Sequence, residues 1–189
     1  MQAKKACVRP RTPVATLCSL PGRRLSLSVG SLVLAMALVL ALPASGAAPQ
    51  RGDFITGQSL GGVRVGMTKP QVLRAWGKRH GVCTNCPNQT WYFNFAPFTP
   101  QGAGVVLKRE RVVHVFTIWR PTGWGTPQGL SLGAPASDVS RLYGSLDRRQ
   151  CSFYYALLKP SKRTQSVFYV FRDRVWGFGL IPRRASPCL

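Results

Sequence analysis

The sequence predicts an α+β fold built as a tandem repeat, each unit a short helical segment followed by a three-stranded antiparallel meander. Three observations carry that prediction. Residues Gly62 to Gly77 lie over Gly129 to Gly144 without a gap, with three glycines in register and Val63/Leu130, Val65/Leu132, Val72/Val139 and Trp76/Tyr143 as apolar equivalents. Three strand-like runs follow each copy. A joint rich in proline and glycine, Pro121 to Pro127, stands between them and marks a boundary.

Taken in order, the first copy opens on a glycine turn and predicts a helix of about two turns over Lys69 to Trp76, ended by Gly77. Thr68 and Gln71 have the spacing of a capping box, and Pro70 is tolerated in a first turn. Strands are expected at Trp91 to Phe95, Gly104 to Lys108 and Val112 to Trp119, with a charged hairpin at Lys108 to Arg111. The second copy repeats the plan. Its helix is expected over Ser137 to Tyr143, and its strands at Ser152 to Leu158, Ser166 to Phe171 and Arg174 to Ile181. The domain plan is therefore a leader at 1–47, a first unit at 48–120, a linker at 121–127 and a second unit at 128–189. Two such units can pair edge to edge into one continuous sheet with both helices on one face.

The leader is read from charge and hydropathy. Lys4, Lys5, Arg9, Arg11, Arg23 and Arg24 precede the apolar run Leu25 to Leu42, and Pro43 with Ala44-Ser45-Gly46-Ala47-Ala48 supplies a break and small residues for a signal peptidase. A secretory signal peptide is expected, and hence a secreted or extracytoplasmic protein with no membrane span once the leader is cut. Left uncut, residues 25–42 are near the length that spans a bilayer and would anchor the chain while still exporting the rest. No cysteine directly follows the run to take a lipid.

The whole chain holds 26 basic residues against five acids, Asp53, Glu110, Asp138, Asp147 and Asp173, a net charge of +21. Removing the leader takes away six bases and no acid. The remainder is strongly basic, which favours an anionic partner outside the cell: another protein or anionic envelope material. Scattered bases without a recognition motif argue against specific nucleic-acid binding.

The run Val65-Gly66-Met67-Thr68, followed by Gln71-Val72 and closed by Gly77, resembles the repeat of the SmpA/OmlA outer-membrane assembly lipoproteins. Its duplication in an exported chain resembles the β-lactamase inhibitory protein family. That resemblance implies a protein-binding module without catalysis. The chain departs from it in lacking a lipobox and in placing Ala134-Pro135 where the first copy has Met67-Thr68.

Cys7 and Cys18 belong to the leader, so the exported form carries Cys83, Cys86, Cys151 and Cys188. An even number outside the cell argues for two disulfides, with three possible connectivities. The preferred set is Cys83 with Cys86 across a short loop and Cys151 with Cys188. Cys83-Thr84-Asn85-Cys86 is also a C-x-x-C, and the rival function is a secreted thiol-disulfide oxidoreductase using that pair. Such chemistry wants the first cysteine at a helix N-terminus, whereas Pro87-Asn88-Gln89-Thr90 leads into a strand. A zinc site lacks a second close pair. His80 and His114 are the only histidines, and no nucleophile-elbow or phosphate-cradling motif accompanies them, so no catalytic, cofactor or metal residue is assigned.

Aromatic side chains carry more information. Period-2 reading places Trp91, Phe93 and Phe95 on one strand face with Tyr92 opposite, and Phe153, Tyr155 and Leu157 on one face with Tyr154 opposite. Rings on both faces of a sheet leave aromatic area to be covered by a partner. Tyr92 and Tyr154 are the expected contacts, with Arg109, Arg111, Arg172 and Arg174 at the hairpin tips as charged neighbours. The expected function is an exported, non-enzymatic protein-binding module.

Overall fold

A computed structural model describes residues 51–93, 102–119 and 122–189. The leader and the 25–42 anchor lie outside them, as does Phe95. The strands are β1 (Arg51–Ile55), β2 (Ser59–Leu60), β3 (Gly81–Val82), β4 (Gln89–Phe93), β5 (Gly102–Lys108), β6 (Arg111–Ile118), β7 (Gly123–Gly125), β8 (Asp147–Gln150), β9 (Tyr155–Pro160), β10 (Thr164–Phe171) and β11 (Arg174–Pro182). The helices are α1 (Lys69–Trp76) and α2 (Ala136–Tyr143).

This architecture overturns the predicted fold class. The protein is mostly β: eight strands form one antiparallel sheet in the order β3-β4-β5-β6-β11-β10-β9-β8, and β2-β1-β7 form a second, small sheet. It is not a helix-plus-meander tandem repeat. The physical reason is that helix is confined to two eight-residue segments while strands outside the expected meanders, β3 and β8, extend the sheet at its edges; β6 and β11 join both parts in the one continuous sheet that the sequence allowed, through a ladder from Val115↔Leu180 to Ile118↔Gly177. The small sheet draws on segments that no meander contains. Gly123–Gly125, within the expected linker, pairs in parallel with Arg51–Asp53.

One face of the large sheet holds the main core. Val105, Phe168, Phe178 and Leu180 from the sheet meet Val72 and Trp76 of α1, Val139 of α2, and Phe54, Leu60 and Trp124 of the small sheet. Ring contacts tie the layers together: Phe54 lies 5.7 Å from Phe168 and 5.2 Å from Phe178, and Trp76 lies 5.2 Å from Phe93 and 6.0 Å from Trp124. Burying each such side chain contributes about 1.5–3 kcal/mol.

Both helices hang from hairpin tips. Arg109 and Glu110 join β5 to β6 with φ of 50° and 63°, and Arg172 and Asp173 join β10 to β11 with φ of 49° and 55°, the left-handed pair that a two-residue type I′ turn demands. Beyond the tips, Gly66 N–H donates to Val112 O at 2.7 Å and Val112 N–H to Met67 O at 2.8 Å. Gly133 N–H to Val175 O and Val175 N–H to Ala134 O repeat the arrangement, each at 2.8 Å. Thr68, the N-cap of α1, donates its N–H to Gln71 Oε1 at 2.8 Å, the reciprocal bond of a capping box.

One residue from each tip carries the strand out of alternation. Val106 pairs with His114 and Leu107 with Val112, which leaves Val113 as an extra residue; Tyr169 pairs with Gly177 and Val170 with Val175, which leaves Trp176. A bulge re-aims its side chain. Trp176 accordingly packs on the second face, away from the helices.

Candidate functional site: an aromatic trough on the second face

The second face carries Phe116, Ile118, Tyr154, Ala156, Val167, Tyr169 and Ile181 as buried apolar residues, with Tyr92, Val106 and Trp176 half-buried beside them. No helix covers it among the described residues. Part of its cover is the C-terminal tail: Gln165 Nε2 donates to Ala185 O at 3.1 Å, Leu189 N–H donates to the Tyr154 hydroxyl at 2.6 Å, and the Cys151–Cys188 disulfide ties the tail down. Over β9 and β10 this leaves Ala156, Val167 and Tyr169 sealed.

Over β4, β5, β6 and β11 the face stays open as a cavity of about 770 Å³. Its floor is Tyr92, Val106, His114, Phe116, Ile118 and Trp176. One wall is the tail, through Ala185, Ser186, Cys188 and Leu189; the other is Cys86, Pro87 and Asn88. The Cys83–Cys86 disulfide closes that second wall. Each wall is thus held by its own disulfide, in the pairing expected from sequence. Two disulfides fit an extracytoplasmic location, and no helix among the described residues is long and apolar enough to cross a membrane.

Glycines in the strands make the floor deep. A Cβ on Gly104 would stand 2.4 Å from the Phe116 ring, and one on Gly179 would stand 2.7 Å from the Tyr169 hydroxyl. The tip of each ring therefore stands over a glycine of its neighbouring strand, and a side chain there would displace the ring.

At the floor, His114 Nε2 and the Tyr169 hydroxyl share a buried hydrogen bond of 2.9 Å. Burial pushes the His114 imidazole down to about 3, so it is neutral at physiological pH. Burial raises Tyr169 well above the usual phenol range, with a smaller push from Tyr154. The floor is uncharged, and among the described residues Lys108 is the one charged side chain that lines the cavity.

The end of the trough away from Lys108 is aromatic. Trp119 is 48% exposed and Phe153 63% exposed, and both rings meet Trp176, at 6.0 and 5.8 Å. Phe153 was expected on the face of Tyr155; it precedes β9, in the turn rather than the strand, and packs against Tyr154 and Phe171 instead.

The residues expected to touch a partner are dispersed. Tyr92 lines the trough and is half-buried, with burial raising its hydroxyl. Tyr154 also lines the trough but is almost wholly packed away: it is 4% exposed, lies 5.0 Å from Trp176 and takes the Leu189 bond. Arg111 and Arg174, expected as charged neighbours at the tips, are exposed and also act as braces. Arg111 donates to Gly66 O at 3.0 Å and Arg174 to Gly133 O at 2.9 Å, each pinning the loop that leads into a helix, on the helix side of the sheet. Arg109 and Arg172 are exposed at the tips, Arg172 with its guanidinium 5.1 Å from the Phe171 ring. Sequence reasoning missed Val106, Phe116 and Trp119. The available signal was glycine inside strands, Gly-Ala-Gly at 102–104 and Gly-Phe-Gly at 177–179, which marks close approach.

Cys83 and Cys86 lie between β3 and β4, with no helix following them. Among the described residues no three histidine, cysteine or acidic side chains gather into a metal-binding group. A second, basic cavity of about 780 Å³ shares Ala185 and Ser186 with the trough and is lined by Arg148, Arg149, Arg183 and Arg184. Two of these are engaged: Arg148 stacks 3.7 Å from the Tyr155 ring, and Arg183 donates to Ser161 O at 2.8 Å.

No family model matches the chain, and no curated protein does. Among solved structures, the crystal structure of a DUF4309 family protein, YjgB from Bacillus subtilis, is similar over 61% of this chain and 78% of that one, at 14% identity and a TM-score of 0.40.

Proposed function

We propose that this protein is an exported, non-enzymatic binding module that receives the apolar part of an anionic partner in the trough over β4, β5, β6 and β11. One observation carries the reading: an apolar cavity of about 770 Å³, walled on both sides by disulfide-held segments, opens on a sheet face that the described residues leave uncovered. Its size is that of a specific ligand site. Exposed Trp119 and Phe153 beside Trp176 are the ring types that dominate binding energy at interfaces.

Charge favours an anionic partner. Twenty bases against five acids remain after the leader, and Lys108 gives the trough itself a positive rim. The sheet edges are poor alternatives: β3 is two residues long, and β8 is exposed and reads Asp-Arg-Arg-Gln, both ordinary ways of blunting an edge.

The test uses 1-anilinonaphthalene-8-sulfonate, an anionic aromatic probe, titrated into the disulfide-intact protein. Saturable one-to-one binding that quenches tryptophan emission and is lost in Val106→Asp supports the reading. Binding that is absent, or unchanged by that substitution in a folded variant, contradicts it.

A further inference from the structure

We infer that the natural occupant of the trough is an extended polypeptide segment of about six residues, with an aromatic or large aliphatic side chain at one end and a carboxylate at the other. This rests on the trough being the binding site and names its ligand.

The protein shows how this face holds such a segment. Its own tail, Ala185 to Leu189, lies over β9 and β10 without regular secondary structure and is fastened through backbone atoms: Gln165 reaches the Ala185 carbonyl, and Tyr154 accepts from the Leu189 amide. The open part of the same face lies beside it. Its floor spans four neighbouring strands, three steps of about 4.8 Å, which gives room for one extended chain with its side chains and not for a second layer of sheet.

Length and polarity follow from register. Lys108 ends β5 at one end of the trough. Gly102, at the other end of that strand, pairs with Ile118, next to Trp119. The six steps from Gly102 to Lys108 cover about 20 Å, the reach of some six extended residues. One end then offers Trp119, Phe153 and Trp176 to an apolar anchor, and the other offers a lysine ammonium to a carboxylate, with no acidic side chain among the described lining residues to oppose it.

The experiment pans a display library of random twelve-residue peptides on the disulfide-intact protein, with the same protein carrying Lys108→Glu or Trp119→Ala as comparison. Both positions are exposed or at the rim, so the variants fold. Enriched peptides should carry a large apolar residue and an aspartate or glutamate about six positions apart, displace the naphthalene sulfonate probe, and bind each variant about tenfold more weakly. Enrichment of basic or charge-indifferent peptides, or binding that neither substitution weakens, overturns the inference. So does a library that yields nothing while dodecyl phosphate displaces the probe; the trough would then stand as a site for an anionic amphiphile. If neither the probe nor any peptide binds, the trough itself is not the site.

Discussion

Both faces of the large sheet carry buried apolar side chains, and they differ in what lies on them. On the helix face, Phe168 and Phe178 meet Phe54 of the small sheet, and α1 and α2 cover the rest. On the second face, the only cover among the described residues is the tail, and it stops short of Tyr92 and Val106. Strand alternation alone therefore decides which residues share a face, while the cover decides whether that face becomes core or site. A sheet face that the described residues leave partly open presents the apolar area by which interaction surfaces are recognised.

The largest test of this contrast asks how dry the floor of the open face is. His114 is held at about 3, below its ordinary 6.5, so between those values the unfolded chain binds a proton that the folded chain excludes. Stability should fall as pH drops from about 6.5 to about 3, by roughly 5 kcal/mol in all, and level off below. Urea melts across this range should show that slope for the wild type and a much flatter one for His114→Gln.

Deleting a ring from the covered face comes next. Phe168→Ala should cost about 3–5 kcal/mol in urea melts, because nothing can collapse into the space between Phe54, Tyr143 and Phe178. The two walls of the trough differ in the same currency. Cys151→Ser with Cys188→Ser opens a loop of 37 positions and should cost about 4 kcal/mol, against about 2 kcal/mol for removing the Cys83–Cys86 bridge, whose separation is 3.

Smaller effects separate floor from rim. Gly179→Ala places a methyl against the Tyr169 hydroxyl and should cost about 1–3 kcal/mol while weakening the His114 bond, which its imidazole NMR signals would report. Trp119→Ala, at the exposed end, should change stability by less than about 1 kcal/mol while weakening probe binding.

Local structure was legible in the sequence because its causes are local. The spacing of Val72 and Trp76 after Thr68 predicts a helix over the residues that form α1. Alternation in Trp91-Tyr92-Phe93 sorts those three rings onto the faces they occupy. The architecture was not legible, because its causes are pairings far apart in the chain. Nothing in Arg51 to Ile55 announces a parallel partner at Gly123, and although an edge-to-edge union of both parts was expected, nothing in Ile118 or Gly177 marks β6 and β11 as the edges that meet. The site was hidden for a further reason. The bulge at Trp176 breaks the period-2 alternation of β11, and the tip arginines Arg111 and Arg174 find carbonyl partners at Gly66 and Gly133 that no sequence pattern reveals. Tyr154 was sorted to the correct face but not to the surface, since the tail that seals it arrives from 35 residues away.

Binding at the uncovered part of the second face can be read residue by residue. The most direct measurement is nuclear magnetic resonance shift mapping of the isotope-labelled, disulfide-intact protein during titration with the naphthalene sulfonate probe. The account predicts saturable shifts concentrated at Tyr92, Val106, Phe116, Ile118 and the Trp119 and Trp176 indoles, with α1, α2 and the β1–β2–β7 sheet unmoved. Shifts centred on the helices or on the arginines of β8, with the trough residues silent, would contradict it.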